Sequence, residues 1–216
     1  MTLTSLFPIW TKNRHALTGS YSFKGQLTGQ GTLEKVVQTL RGEFQFSARD
    51  GQIQPSPALD TPLEATFDYL NEKGDFDLAF PDLNREPFPF RSLRIHGMVE
   101  GLTLVNDELV LQSSLYIISG DGKVDLENNQ IDAKGLVTVR IPGGSIISRI
   151  PVVGSILGLG GSLLGIPVRV VGSLDRPSVS YLSPTDVGAR LLSTPVRILG
   201  LPLEAIRLFT PNFRGN

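Results

Sequence analysis

Apolar and polar residues alternate with a period of two along much of the first 182 residues, a pattern typical of β-strands. The alternation is clearest between Leu17 and Gly29, where apolar residues and glycines hold the odd positions and polar side chains hold the even ones. A strand with one polar face is typical of antiparallel sheets, because parallel sheets are usually covered on both faces. The same pattern predicts further strands at 43–48, 91–99, 102–105, 109–117, 136–141, 168–174 and 178–182.

Turn residues separate the predicted strands. Gly120-Asp121-Gly122 and the Glu-Asn-Asn-Gln stretch at 127–130 predict turns, since glycine reaches positive φ without strain and asparagine tolerates it. Arg49-Asp50-Gly51 predicts another turn. Short connections of this kind join neighbouring antiparallel strands. The predicted fold class is therefore mainly β with short helices, built on a long, curved antiparallel sheet that is open and groove-like.

Helices are predicted to be inserted between the strands near residues 33–41, 62–72 and 145–158. The strongest start signal is Thr61-Pro62-Leu63-Glu64, where threonine caps, proline takes the first helical position and glutamate completes a capping box. Residues 1–182 then form one β-rich domain with helices packed on its sheet. Residues 183–216 are predicted to form a helical, amphipathic C-terminal tail, because a capping hydroxyl directly precedes proline at Ser183-Pro184 and Thr194-Pro195.

Two segments raise the question of a membrane. Residues 150–168 carry no charge and are long enough to cross a bilayer, but their five glycines make a continuous helix unfavourable, so we expect no membrane span there. The tail is basic, with Arg190, Arg197 and Arg207 as candidate contacts to an anionic membrane surface. In the alternative interpretation, the apolar residues of the tail cap the sheet and these arginines face water.

Composition and motifs exclude several functions. The chain has 20 basic and 21 acidic residues, a net charge of −1, which offers no electrostatic footprint for nucleic acid. It has no cysteine, and its two histidines, His15 and His96, have no second ligand at a metal-binding spacing. No Gly-x-Ser-x-Gly nucleophile motif is present. We therefore predict no enzymatic activity, no metal site and no cofactor.

Three glycine-punctuated segments carry a resemblance to a known family. They are SFKGQLTGQGTLEKVVQTLRGEFQFSARDGQI at 22–53, GDGKVDLENNQIDAKGLVTV at 120–139 and IPVVGSILGLGGSLLGIPVRVVGSLDRP at 150–177. Together they resemble the C-terminal region of the AsmA-like family of bacterial envelope proteins, over roughly Leu17 to Leu203. The resemblance implies a non-enzymatic module of the periplasm or cell envelope. It also implies a role in outer-membrane biogenesis, in which an apolar β groove carries phospholipid.

The chain departs from that family at its start. Residues 1–15 have neither the basic region nor the uninterrupted apolar run of a signal peptide. AsmA-like proteins usually carry an N-terminal membrane anchor and a long body. We therefore expect this chain, which shows no anchor, to be a C-terminal fragment.

An apolar sheet face of this length has to be covered, and the sequence leaves two coverings open. Phospholipid acyl chains could lie on it, or the chain's own helices could fill it. In the second case the protein is a structural or interaction module that pairs with other segments or with envelope proteins. Parity along the central strands selects these candidates for a lipid groove: Leu109, Leu111, Leu115, Ile117, Val124, Leu126, Val137 and Val139.

Overall fold

The computed structural model describes residues 17–32, 35–55, 67–68, 71–72, 81–83, 85–140, 157–158 and 163–182. Within these residues the chain is mainly β and forms one open antiparallel sheet. Eight strands of six residues or more and one two-residue strand make up the sheet. No helix of seven or more residues occurs in the described part, so the prediction of a mainly β fold is confirmed.

The strands follow one another in the sheet almost in chain order. Each pairs antiparallel with the next through β6, which then pairs with β8, and β7 and β9 both pair with the far side of β8. Their bounds are β1 Ser20–Thr28, β2 Arg41–Ile53, β3 Phe88–Glu100, β4 Thr103–Gln112, β5 Tyr116–Asp125, β6 Gln130–Arg140, β7 Leu157–Gly158, β8 Leu163–Ser173 and β9 Arg176–Tyr181.

The predicted helices fare differently. Near 33–41 the structure has a four-residue 3-10 turn at Val36–Thr39, because pairing of Thr28 with Arg41 closes the connection before a helix can extend. Near 62–72, residues 67–68 and 71–72 are helical, and the rest lies outside the described residues. The helix predicted at 145–158 is wrong at its end, where β7 pairs with β8, and its remainder also lies outside. So does the predicted helical tail at 183–216.

One predicted turn is confirmed and two are wrong. The chain reverses at 126–129, where the Asp125 carboxylate accepts hydrogen bonds from the backbone and side-chain amides of Asn128. Strand β5 instead runs straight through Gly120-Asp121-Gly122, where it stays paired with β6. Gly122 lies so close to Ala133 on β6 that a side chain at 122 would collide with it. Likewise β2 continues through Arg49-Asp50-Gly51 as far as Ile53.

A β-bulge in β4 changes which residues of that strand share a face. Asn106 pairs with Gly97, but the next paired residue, Glu108, is opposite His96, so Asp107 is left over. The pairing of β4 with β5 shifts at the same place. One extra residue reverses the side-chain parity beyond it. Leu104 before the bulge and Leu109 after it therefore lie on the same face.

The core lies on one face of the sheet, which we call the apolar face. Its centre is covered by Phe67, whose ring meets Tyr116 edge-on at 6.1 Å between centroids, and by Phe88, whose ring lies 6.0 Å from that of Tyr116. Burial raises the pKa of Tyr116 to about 12. The buried strand residues that pack together in the core are Phe46, Ala48, Phe88, Phe90, Leu93, Leu111, Tyr116, Val137, Val139, Leu164, Ile166 and Val168.

We call the opposite face the polar face. One part of it carries polar and charged side chains, and another part is buried. Over β2 to β4 it presents side chains such as Gln45, Arg94 and His96. Over β4 to β8 it changes character, and its residues there are as deeply buried as the core. These residues are Val110, Ile117, Ser119, Leu136, Thr138 and Leu163. The sheet is thus covered on both faces around these residues.

Two strand glycines allow a test of how closely β1 and β2 approach. Gly42 has φ 148° and an added Cβ would overlap the Gln26 carbonyl oxygen, whereas Gly172 has φ 104° with no atom within 4 Å of such a Cβ. We expect Gly172→Ala to lower the free energy of unfolding by about 1 kcal/mol and Gly42→Ala by about 3 kcal/mol. Urea denaturation of both variants measures this, and equal losses would contradict the close approach.

Candidate functional site

Five of the predicted groove residues lie together on the apolar face. Leu111 is opposite Ile118 on β5, and Ile118 is in turn opposite Val137 on β6. Cross-strand partners share a face, so these pairs place Leu111 and Val137 in one row. The five residues of this face are Leu109, Leu111, Val124, Val137 and Val139.

The other three predicted groove residues do not belong to that face. The hairpin between β4 and β5 pairs Gln112 with Ile117, which puts Ile117 on the polar face, and it leaves Leu115 in the connection with 42% of its surface exposed. Counting parity from Leu111 to Ile117 is therefore wrong, because the three connecting residues reset the alternation. Leu126 lies in the turn at the other end of β5.

The five apolar-face candidates differ in how accessible they are. Leu111, Val137 and Val139 are at most 4% exposed, so the chain's own packing already occupies the space above them. Leu109 and Val124 are half-buried. The parity selection missed further half-buried side chains of this face, three of which lie beside Leu109 and Val124. Together these residues form what we call the half-buried region: Ile95, Leu104, Leu109, Val124 and Ile131.

Small residues lie within the half-buried region. Gly97, Gly122 and Ala133 face the same way on β3, β5 and β6, and Asn106 connects them on β4. The row that contains Leu104, Val124 and Ile131 follows on the side of the 126–129 turn. Side chains on the apolar face are therefore small in this row and larger in the row beside it.

A small cavity lies at the end of the sheet that holds the 3-10 turn and the 126–129 turn. It lies between the 3-10 turn and the hairpin ends, and its free volume is about 10 Å³, the space of roughly one water molecule. This volume is far too small for an acyl chain. Its lining is apolar: Leu27, Val37, Leu40, Val99, Gly101, Leu102, Leu104 and Leu126.

The polar face carries ion pairs that cross between strands. The Arg169 guanidinium donates two hydrogen bonds to the Asp132 carboxylate, at 3.2 and 3.1 Å, and Lys134 lies 3.8 Å from Asp121. These pairs are exposed, and each contributes little to stability. They make the part of the polar face around Asp121, Asp132 and Lys134 a solvated surface, beside the part of that face that is buried.

His96 forms the shortest of these contacts. Its Nδ1 donates a hydrogen bond to Asp107 Oδ1 at 2.7 Å, which ties β3 to the bulge in β4. This bond raises the pKa of His96, and the negative charges of Glu43 and Glu108 add to the effect. The Arg94 guanidinium approaches Glu108 to 3.9 Å on the same face. His96, which showed no metal partner in the sequence, is thus a structural contact of the bulge.

The described residues contain no cluster of three or more His, Cys, Asp or Glu side chains that could hold a metal ion. They also contain no helix long and apolar enough to span a bilayer. The hydroxyls of Ser119 and Thr138 are buried without a hydrogen-bond partner. The cross-strand partners of Ser119 are Val110 and Leu136, neither of which can act as an acid or base. Arg190, Arg197 and Arg207 lie outside the described residues.

The His96 contact predicts a pH dependence of stability. A histidine whose pKa is raised by folding stabilises the fold while protonated, and this contribution fades as the pH rises through its folded-state pKa. We expect His96→Gln to lose up to about 1 kcal/mol of unfolding free energy at pH 5.5 and almost nothing at pH 8.5. Urea titrations at both values measure the difference. Asp107→Asn should reproduce this pH step, whereas Asp132→Asn, at an ion pair without histidine, should not.

Comparisons with known proteins identify no relative. No protein-family model, curated protein or solved structure matches the chain. The likeness to the AsmA-like family therefore stays a prediction from the three glycine-punctuated segments. Function has to be argued from the chain's own residues, chiefly from the apolar face and the edges of the sheet.

Proposed function

We propose that this chain is a non-enzymatic module of the bacterial cell envelope, of the AsmA-like type, whose apolar sheet face contacts phospholipid acyl chains. The observation that carries the proposal is the continuous apolar face, which crosses the sheet from Phe46 on β2 to Val168 on β8. The sheet is open, so its apolar face can continue into another surface. The choice of phospholipid as the ligand and of the periplasm as the location comes from the sequence resemblance.

Acyl chains would lie on the half-buried region and not on the buried centre. Leu109, Ile95 and Val124 still present apolar surface, and Gly122 and Ala133 add little bulk between them. Apolar contact of this kind is favourable in proportion to the area removed from water. The buried residues Leu111 and Val139 then support the strands beneath the lipid.

The basic tail belongs to the same proposal. Arg190, Arg197 and Arg207 would hold the module against an anionic membrane surface, since each basic residue near such a surface contributes about 1 kcal/mol. That position would bring the sheet close to the bilayer from which lipid enters or to which it leaves.

A second function is favoured by the depth of burial at the centre of the sheet. Leu111, Val137 and Val139 are almost inaccessible and Phe67 covers Tyr116, as in a self-filled core. A module of this kind would act through its surface and its edge strands, by pairing with other segments or with envelope proteins. It would need no lipid.

Lipid binding separates the two functions. We expect native mass spectrometry of the full chain, purified from a bacterial host, to show co-purifying phospholipid, with organic extraction identifying it. Leu109→Glu should lower the bound lipid about tenfold, because a carboxylate in the half-buried region would have to be desolvated by the acyl chain. Binding of fluorescently labelled phosphatidylethanolamine measures the same change in solution.

Leu115→Glu is the matched control. Leu115 lies in the connection between β4 and β5 and is 42% exposed, so this substitution makes the same change of residue without touching the half-buried region. Thermal unfolding of both variants must remain cooperative for the comparison to hold. A protein that carries no lipid, or equal lipid binding in the two folded variants, would contradict the lipid function and leave the interaction module.

A further inference from the structure

In the part of the chain that the structure describes, strand β1 is an edge of the sheet. Within the described ranges it pairs with β2 alone, and seven of its nine residues are exposed. It contains no proline and a single charge, Lys24. Such an edge offers unpaired backbone groups to another strand, and natural proteins usually block it with charges, prolines or short strands.

The opposite edge shows those protections. Strand β9 has six residues and includes Arg176 and Pro177, and proline cannot donate a ladder hydrogen bond. Strand β7, beside it on β8, has only two residues. The two edges of one sheet thus differ, and β1 is the edge suited to accept a further strand.

Side chains continue the apolar face up to the β1 edge. The Phe23 ring stacks on Phe44 at 6.1 Å and the Tyr21 ring stacks on Phe46 at 6.4 Å between centroids. Tyr21 nevertheless remains 72% exposed, the highest exposure of any large hydrophobic residue in the described chain. The exposed part of this ring could be covered by a neighbouring strand, in a cross-strand contact that the described chain does not itself supply.

We propose that β1 pairs antiparallel with β1 of a second copy of this chain, about a twofold axis at Phe23. A twofold axis perpendicular to the sheet gives each residue a partner equally far from the axis and keeps the two apolar faces on one side. With the axis at Phe23, Tyr21 lies over Gly25 of the second copy. Lys24 then lies opposite Ser22 of the second copy, and the two Phe23 rings face each other.

The position of Lys24 and the coverage of Tyr21 favour this register over the neighbouring registers. An axis at Lys24 would place two lysines directly opposite each other, which is destabilising. An axis at Gly25 would pair Lys24 with Gln26 of the second copy, but it would leave Tyr21 beyond the paired residues. Only the axis at Phe23 joins seven residues from each β1, avoids the lysine pair and covers Tyr21. The inference is independent of the proposed lipid function.

Charge substitutions at two matched positions test both the dimer and its register. Ser22 and Gln26 are each two residues from Lys24 on the polar face of β1. On β2, Ser22 is opposite Ser47 and Gln26 is opposite Glu43, pairings that are the same in the monomer and in the dimer. Only Ser22 is opposite Lys24 of the second copy in the proposed register. We expect Ser22→Glu to tighten the dimer and Ser22→Lys to weaken it, each by about fivefold, because two symmetric charge pairs form per dimer.

Sedimentation equilibrium over a wide range of protein concentrations measures these dissociation constants. Gln26→Glu and Gln26→Lys should change the dissociation constant less than twofold, and the Ser22 effects should shrink at high salt. A chain that stays monomeric at every concentration would overturn the proposal. So would a dimer that responds at Gln26 in place of Ser22, or an open-ended assembly in place of a closed dimer.

Discussion

The fold depends on one constraint, which is that apolar side chains from successive strands have to share a face. Leu93, Leu111, Ile118, Val137 and Ile166 form one cross-strand row over β3, β4, β5, β6 and β8. A slip of one residue in any of these pairings would move the apolar residues of that strand from the apolar face to the polar face. The registers are therefore tied to one another, and burial of the row selects all of them together.

The bulge at Asp107 shows how the constraint survives an extra residue. Both ladders of β4 shift by one at the same point, so the disturbance stays within a single strand and the rows on β3 and β5 remain aligned. The carboxylate of the extra residue, Asp107, accepts the hydrogen bond of His96. The bulge thus provides a cross-strand contact on the polar face.

Sequence alone could predict the class of fold and most strands, since alternation depends on neighbouring residues only. Prediction from the sequence failed where contacts between residues far apart in the chain determine the structure. Gly120 and Gly122 have the composition of a turn, but Gly122 lies against Ala133 on the next strand, a closeness that only a small residue permits. Ile117 was placed on the wrong face because the connection at 113–115 could not be located from parity.

The predicted helix at 33–41 failed for a similar reason. Its apolar spacing suits a helix, yet Arg41 pairs with Thr28, and the twelve residues between them have to bring the chain back to the neighbouring strand. The 3-10 turn is the tighter structure that fits this length. The same apolar residues, Val37 and Leu40, still close the end of the sheet, so the pattern indicated burial correctly and geometry incorrectly.

The two surfaces proposed here act in different directions, and their combination follows from the geometry of the sheet. Lipid would contact the apolar face from above, whereas a second β1 strand would join the sheet within its own plane. Pairing about a twofold axis at Phe23 keeps both apolar faces on the same side, so the two half-buried regions would belong to one continuous sheet. Dimer formation would then enlarge the area available to an acyl chain without opening the filled core around Tyr116 and Phe67. Self-filling of the centre and lipid contact at its border are therefore compatible in one molecule.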